Sequence, residues 1–403
     1  MSAATVSRWS GRFVLVSAGF LLAWQVGVLV GVPRRTEVAL GLYGFVLHAV
    51  FGKAYSLVPS YFDRRLAFPR APALHLPFAV AGTVGLAVGS IGGSPSIGAL
   101  GALAWALGVG VFLGALLWTV RGNLTGRETG TGDANADRRP VDRAANAFVP
   151  VALAYLALGT YATLAAHAAL PSPFGGFLPR ASHLLAAGTG AMLVFAVGFR
   201  LLPRFLVASP PRPLVALVLP AGAVGPVLLA ATLGGGPPFR VAALLEATAL
   251  IGFATAYAVL WSRSSRRRVG LYAAFAGALS GALAAVVGLS FAFLGPIAPA
   301  LVLAHLRLAL LGFLGLTIVG VTYQFYPPGV GSFPGANDRT ALASIVCLGG
   351  GLLLGVLGAV GGAPPATAVG EPIAAVGAGL YAYLVAGLLR ERRSTLAARS
   401  GRR

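Results

Sequence analysis

The sequence predicts an all-α integral membrane protein of about twelve transmembrane helices, and composition and hydropathy lead to that fold class. Hydrophobic residues make up 57% of the 403-residue chain and charged residues only 10%, and the mean hydropathy is +0.84. A soluble globular protein of this composition would expose far too much apolar surface to water. Stretches of about 20 apolar residues, the length that crosses a hydrocarbon core, recur along the whole chain.

Twelve such stretches follow one another, each long enough for one crossing at a rise of about 1.5 Å per residue. In chain order they are helices 1 to 12 of the prediction. They lie at residues 12–32, 37–59, 73–91, 97–120, 147–168, 182–206, 213–233, 241–262, 269–293, 299–325, 341–361 and 368–389.

Arginines alternate between connections and predict the orientation. The connections on one side carry most of them, whereas the other side has only Arg34, Arg35, Arg180 and Arg240. The positive-inside rule then predicts a plasma-membrane protein with both termini in the cytoplasm. Even-numbered helices would run from the outside to the inside. The net charge of +20 reflects this topology and an attraction to anionic lipid. Nucleic-acid binding is disfavoured, because the basic residues are scattered over many short loops.

Three local features complete the outline. Residues 121–146 are polar and rich in glycine and threonine, which predicts a mobile cytoplasmic loop. The single cysteine, Cys347, lies within helix 11 and can form no intrachain disulfide. Helix 1 follows a short basic start, as a signal peptide would, but its apolar stretch is too long, and we expect it to be retained.

One sequence cassette recurs in helices 2 and 10 and, more weakly, in helix 6. GLYGFVLHAVFGKAYSLVP ends at Pro59, and LALLGFLGLTIVGVTYQFYP, offset by 268 residues, ends at Pro327. SHLLAAGTGAMLVFAVGFRLLPRFL matches at an offset of 144, which aligns Pro203. The cassettes predict a single transmembrane domain of three four-helix units, at about 12–120, 147–262 and 269–390, with approximate threefold pseudosymmetry.

The small residues and prolines of the cassette have predicted roles. Its glycines let another helix, or a flat cofactor, approach the backbone closely, and helix packing is the simpler alternative. Its prolines are predicted to end each helix at the cytoplasmic side.

Taken together, these features resemble subunit I of the haem–copper oxidase superfamily, with nitric oxide reductases and cbb3-type oxidases nearest. The most specific local match is AHLRLALLGFLGLTIVGVTYQFYP, which is similar to the family's tenth helix, where His-x-His-Leu precedes a Leu/Gly-rich run. Histidines two residues apart point to opposite faces of a helix and can ligate two different haems. The resemblance covers one helix closely and the rest of the chain by topology.

Carried over by position, the resemblance makes His305 the axial ligand of the high-spin haem and His183 a copper ligand. Arg307 stands where the family has the histidine of the low-spin haem, and a guanidinium cannot replace it. Helix 2 has Glu37 where the other low-spin ligand is expected.

His48 lies deeper in helix 2 and is a third candidate cofactor ligand, since a mid-bilayer histidine must find a partner. Helix 7, which should supply two copper-binding histidines, has none. Copper is therefore disfavoured, because it prefers several nitrogen or sulfur donors.

With these ligands missing, the resemblance implies a protein without oxidase activity that binds one haem or metal. Such a protein would handle or sense electrons or a gas ligand such as nitric oxide. An alternative is an inherited fold in which His305 only hydrogen-bonds across helices. Others are a non-enzymatic transporter or permease working around Glu246, Glu37 and Arg307, and a structural partner of other respiratory-chain or membrane subunits.

Ionisable residues at membrane depth are costly and indicate a functional site. Five of them fall in the outer third of their helices: Glu37, His183, Glu246, His305 and Arg307. Several of these are predicted to line one cavity, with Glu37, Glu246 and Arg307 as the candidates. We expect Glu37 and Arg307 to pair, the alternative being that each extends separately to the interface.

Other polar residues receive simpler interpretations. Lys53 and Arg200 are predicted to reach lipid headgroups with their long side chains. His75 is predicted to be an interfacial residue, and His167 is a weaker candidate ligand near the outer cluster. A proton-conducting role, as in the family's channels, is a hypothesis for Tyr55, Tyr323 and Lys53.

Overall fold

The computed structural model describes residues 3–400, with side chains from residue 5 to residue 392, and twelve of its helices are long and apolar enough to cross a membrane. The predicted multi-pass helical class is therefore confirmed. The helices are α1 Thr5–Leu29, α2 Arg34–Tyr61, α3 Ala71–Ile91, α4 Pro95–Asn123, α5 Asp133–Ala168, α6 Leu178–Leu206, α7 Arg212–Thr232, α8 Pro237–Ser262, α9 Val269–Phe293, α10 Pro299–Val330, α11 Asp338–Val360 and α12 Pro364–Arg392.

The two ends of the bundle can be distinguished without reference to a membrane. Twelve crossings are an even number, so α1 begins and α12 ends at one end, which we call the terminal face. The even-numbered helices begin at the other end, the opposite face. Glu37, His183, His305 and Arg307 all lie within the first ten residues of an even-numbered helix, which places them near the opposite face.

The segment 121–146 has more regular structure than the sequence predicts. α4 continues to Asn123 and α5 begins at Asp133, so that only nine residues separate the two helices. A short helix, Arg139–Ala147, precedes the apolar part of α5. Buried polar side chains hold the segment in place: Asn123, Asp142 and Asn146 are at most 5% exposed. Composition alone did not show that these side chains have partners on other helices.

Three stretches of π-helix lie inside the cassette helices, at Ala39–Val46, Leu184–Ala191 and Leu308–Gly315. Each is eight residues long, although π-helix is rare and usually limited to a single turn. The three stretches contact one another at the centre of the bundle. α2, α6 and α10 therefore form the inner part of the molecule, and the other helices pack around them.

A glycine at the same cassette position in each of these helices allows close packing. Gly44, Gly188 and Gly312 correspond at the two cassette offsets. A Cβ atom at any of them would lie within 2.6 Å of a side-chain atom of the preceding helix. At these positions the glycines serve helix packing, rather than space for a flat cofactor. The side chains in contact are Phe20 of α1, Tyr155 of α5 and Ser280 of α9.

The cassette prolines end their helices less sharply than predicted. Pro59 and Pro203 lie inside helical segments that continue to Tyr61 and Leu206. Only Pro327 follows the end of the regular α-helical part of its segment, which stops at Phe325. A proline in the last turn is tolerated because few hydrogen bonds remain to be lost there.

Candidate functional site

Arg307 is the centre of an ion-pair cluster at the opposite face. Its Nη2 atom lies 3.4 Å from Oε1 of Glu37 on α2, and its Nη1 atom lies 2.8 Å from Oε1 of Glu371 on α12. Nε1 of Trp24 donates to the other Glu37 oxygen at 3.4 Å. The predicted pairing of Glu37 with Arg307 is confirmed, and it joins the first and third predicted units.

Sequence reasoning missed Glu371, although one signal was present. Acidic residues number only 10 in the whole chain, and Glu371 stands at the start of an apolar stretch. The cluster is largely withdrawn from solvent: the side chains of Glu37, Arg307 and Glu371 are 7%, 14% and 23% exposed. Two carboxylates share one guanidinium, so the cluster carries a net negative charge when all three groups are ionised.

His183 and His305 form a second cluster at the same face. Their ring centroids are 6.3 Å apart and the ring planes differ by 20°. Nδ1 of His183 donates to the Pro179 carbonyl at 2.7 Å, and Nδ1 of His305 donates to the Ala284 carbonyl of α9 at 3.0 Å. Each Nδ1 therefore carries the proton, and Nε2 of the neutral ring keeps its lone pair for a ligand.

The donor set of this pair suits a haem better than a bare metal ion. Within the described residues, no group of three or more His, Cys, Asp or Glu side chains could hold a metal ion. A porphyrin supplies four nitrogen ligands of its own, so one or two imidazoles complete its iron. The two imidazoles at this end of the bundle, with centroids 6.3 Å apart, are donors of the kind that a haem would use.

The backbone carbonyls at the pair orient the two rings. A metal-binding histidine usually donates its other N–H to a carbonyl or carboxylate, which fixes the tautomer and the ring direction. Pro179 belongs to the first turn of α6, whereas Ala284 belongs to the neighbouring α9. The ring of Phe291 lies at 5.6 Å, edge-on to His305. His305 is therefore held from another helix and His183 from its own.

His48 and His75 lie deeper, and the structure corrects the interpretation of His75. Both are fully buried, and His75 packs against Phe51 with ring centroids 4.6 Å apart. His75 does not face the headgroups, as an interfacial residue would, because its ring packs against aromatic rings of α1, α2 and α4. Its Nδ1 lies 3.2 Å from the Tyr55 hydroxyl, and Nδ1 of His48 donates to the Tyr43 carbonyl at 2.9 Å.

These two histidines keep an unpaired nitrogen in the core of the first four helices. Nε2 of His48, Nε2 of His75 and Nε1 of the neighbouring Trp105 have no hydrogen-bond partner among the described residues. A buried polar atom without a partner is unusual and costly. The Tyr43 carbonyl that bonds His48 belongs to the π-helical stretch Ala39–Val46.

Glu246 and His167 lie apart from the two clusters. Oε1 of Glu246 has no hydrogen-bond partner among the described residues and packs against Gly225 of α7. No contact joins Glu246 to Glu37 or Arg307 in the part of the chain that the structure describes. His167 donates from Nδ1 to the Thr163 carbonyl at 2.9 Å and lies at the edge of a large cleft.

Arg200 was predicted to extend to the headgroups at the terminal face, but it is buried, with 2% of its surface exposed. Its guanidinium contacts the Asn146 side chain, donates to the Tyr61 carbonyl at 3.1 Å and lies 3.5 Å from Asp142. Arg204 also binds Asp142, at 2.6 Å. The prediction is wrong because residues 133–147 fold over the end of α6 and supply the carboxylate.

Lys53, Tyr55 and Tyr323 occupy separate environments. Nζ of Lys53 lies over the Phe325 and Tyr326 rings, 4.1 Å and 4.3 Å from their centroids, so it packs on aromatic faces. Tyr55 is bonded to His75, and the Tyr323 hydroxyl lies 2.7 Å from that of Ser344. The proton-conducting role stays a hypothesis.

Comparison with known proteins does not place the chain in a family. No protein-family model matches it, and no curated protein matches it either. The fold alone defines the class, a multi-pass helical membrane protein.

Proposed function

We propose that this membrane protein binds one haem through His305, with His183 beside it, and that it senses or handles a small gas ligand, such as nitric oxide, or electrons, without oxidase activity. The observation that carries the proposal is the pairing of the two imidazoles, at 6.3 Å between centroids. His305 would be the better ligand of the haem iron, because the Ala284 carbonyl holds its ring from a second helix. A bound haem supplies an iron centre that takes up electrons or a gas.

The ligand inventory supports a single haem. The position of the family's second histidine on helix 10 holds Arg307, which is paired with two carboxylates. The position on helix 2 where the family has the other low-spin haem ligand holds Glu37, which belongs to the same ion-pair cluster. Helix 7 has no histidine, so the donors that would hold copper beside the haem are missing. The residues present suit haem binding and not the two-metal chemistry of an oxidase.

The three-unit architecture belongs to the proposal, and two observations support it. The π-helical stretches begin at Ala39, Leu184 and Leu308, within one residue of the cassette offsets. The glycines at equivalent cassette positions each receive a side chain from the helix before. Repeated units that pack their first two helices in the same way would produce both features.

The orientation is also part of the proposal. The arginine distribution supports cytoplasmic termini and places the paired histidines toward the outside of the plasma membrane. Other membrane or respiratory-chain subunits are proposed partners, since a protein that handles electrons needs a donor or an acceptor.

The test is the reduced-minus-oxidised visible spectrum of the purified protein, with haem quantified per chain. We expect about one haem per chain, loss of the Soret band in His305→Ala, and a changed ligand spectrum in His183→Ala. His167→Ala is the matched control, because this histidine lies at the same face but outside the pair, and it should keep the wild-type spectrum.

Two results would contradict the proposal. A protein without a Soret band after expression with adequate haem does not bind haem, and the transporter alternative then becomes the leading hypothesis. A band that survives unchanged in His305→Ala would show that the ligand is another residue.

A further inference from the structure

A cleft of about 790 Å³ opens at the opposite face, between the first and second predicted units. It is bounded by the starts of α2, α4 and α6 and by the ends of α3 and α5. Tyr43 and Ala39 of α2, both buried, are among the residues that line it. Its volume is within the range of sites that bind small molecules, roughly 300–1,000 Å³.

The polar part of the lining is cationic. Arg34 and Arg35 border the cleft, are exposed, and form no ion pair with any described residue. No aspartate or glutamate is among the lining residues. His167, Ser94 and Ser182 add hydrogen-bonding groups. A ligand with a negative charge would meet two free guanidinium groups and no competing carboxylate.

The backbone at the cleft also favours an anionic ligand. Three spanning helices begin at the cleft, at Arg34, Pro95 and Leu178. Helix N-termini carry partial positive charge and unpaired N–H groups, which favour anions. The exposed arginines at the mouth and the helix starts beneath them reinforce one another.

The remaining walls are apolar. Val38, Leu86, Phe177 and Leu178 line the cleft, and Phe177 is 57% exposed. A small soluble anion would leave these side chains uncovered. A molecule with a charged head and a hydrocarbon body would match both parts of the surface, and the end of a bundle of spanning helices is where lipid headgroups lie.

We propose that this cleft binds an anionic phospholipid, with its phosphate at Arg34 and Arg35 and its hydrocarbon part along the apolar wall. A zwitterionic phospholipid fits less well, because its ammonium group would find no carboxylate in the lining. The site involves neither His183 nor His305 and is independent of haem binding.

The test compares lipids of equal chain length on the delipidated, purified protein by native mass spectrometry. Dioctanoyl phosphatidylglycerol should bind more tightly than dioctanoyl phosphatidylcholine. The Arg34→Gln/Arg35→Gln double variant should lose roughly 30-fold in affinity for the anionic lipid, the effect expected for two basic side chains at a membrane surface. Arg240→Gln is the matched control, since Arg240 is a cation at the same face outside the cleft, and it should bind as the wild type does.

A second variant tests the cleft without altering its charge. Gly176 lines the cleft, and a Cβ atom added there would meet nothing within 4 Å, so Gly176→Trp should fold and obstruct the lipid. Equal binding of the two lipids, or wild-type binding by both the double variant and Gly176→Trp, would overturn the proposal. Inorganic phosphate that competes as well as the lipid would overturn the lipid assignment in favour of a soluble anion. An unchanged haem spectrum in these variants is expected, and it keeps the two tests separate.

Discussion

At the residue scale, the most consequential side chain is Arg307, because it pairs with carboxylates from two other helices in a poorly solvated place. Removing one partner of such a cluster leaves an uncompensated buried charge, which costs about 3–5 kcal/mol, whereas removing all partners can be nearly neutral. The Glu371 contact, at 2.8 Å, is shorter than the Glu37 contact, at 3.4 Å. A simple charge exchange between Glu37 and Arg307 would therefore be incomplete, since Arg307→Glu places a carboxylate beside Glu371.

Arg307→Leu should lower the stability of the purified protein by about 3 kcal/mol, because it leaves two carboxylates without a cation. Adding Glu37→Gln and Glu371→Gln to Arg307→Leu should restore part of the loss. The measurement is thermal unfolding in detergent. If the triple variant is no more stable than Arg307→Leu alone, the three residues do not act as one electrostatic unit.

Asp142 has a comparable role at the terminal face, where it binds Arg200 and Arg204. Asp142→Asn should destabilise the protein by about 3 kcal/mol and should make residues 121–146 easier to cleave by protease. Asp133→Asn is the matched control: Asp133 pairs with Arg139 in the same segment, but its side chain is 98% exposed, and exposed pairs contribute little. Equal protease sensitivity of the two variants would argue against a clamp at Asp142.

The connection between α4 and α5 is also held by bonds to residues just beyond the end of α2. The Asn123 side chain donates to the carbonyls of Phe62 and Glu128, at 3.1 Å and 2.8 Å. Glu128 pairs with Arg64 at 2.6 Å, and the hydrogen bond from this guanidinium lowers the pKa of the Glu128 carboxyl. This small contribution is present above the carboxyl's unfolded pKa and is lost as the pH falls through the folded value.

At the element scale, the three π-helical stretches and their neighbouring glycines distinguish α2, α6 and α10 from the other helices. The wider helical turn changes which residues face each neighbour, and it frees carbonyls for side chains. His48 bonds the carbonyl five residues before it, and so does Thr189 in the second stretch. Sequence reasoning found the cassette that contains these stretches but not the π-helix, because hydropathy does not distinguish helices that differ by one residue per turn.

Gly188→Ala should destabilise the protein by about 1–3 kcal/mol, because its new Cβ atom would overlap the Tyr155 ring. Gly110→Ala in α4 is the matched control. No atom lies within 4 Å of a Cβ there, so the change should be neutral or stabilising by up to about 1 kcal/mol. Thermal unfolding of both variants provides the comparison, and equal Tm values would contradict the close packing of α5 on α6.

At the scale of the whole molecule, the arrangement of the helices determines which membrane side each site faces. In a Cys347→Ala background, Ser96→Cys at the opposite face should react with a membrane-impermeant thiol reagent in intact cells. Ser265→Cys, in the connection between α8 and α9 at the terminal face, should react only after permeabilisation. Both serines are exposed, so access to the reagent depends on membrane side. The reverse labelling pattern would invert the proposed orientation and place the histidine pair toward the cytoplasm.

The sequence was sufficient for some contacts between distant residues and not for others. The pairing of Glu37 with Arg307 was predicted from the resemblance, which places helices 2 and 10 on either side of one haem and so brings these opposite charges together. Glu371 belongs to no cassette, so nothing in the sequence linked it to them. Arg200 was misinterpreted because its partner Asp142 lies in a segment whose composition is typical of a loop. His75 was misinterpreted because depth along a helix does not tell which way a side chain faces.

The sequence by itself determined the number and approximate limits of the spanning helices and showed that one cassette recurs along the chain. Hydropathy over about 20 residues is a local property, and a repeated cassette can be read without coordinates. Only the tertiary structure decided that His183 stacks near His305, that Arg307 binds a second carboxylate and that a cationic cleft opens beside Arg34. Those features depend on how each helix is rotated about its axis and which helices are neighbours, and packing between residues far apart in the chain determines both.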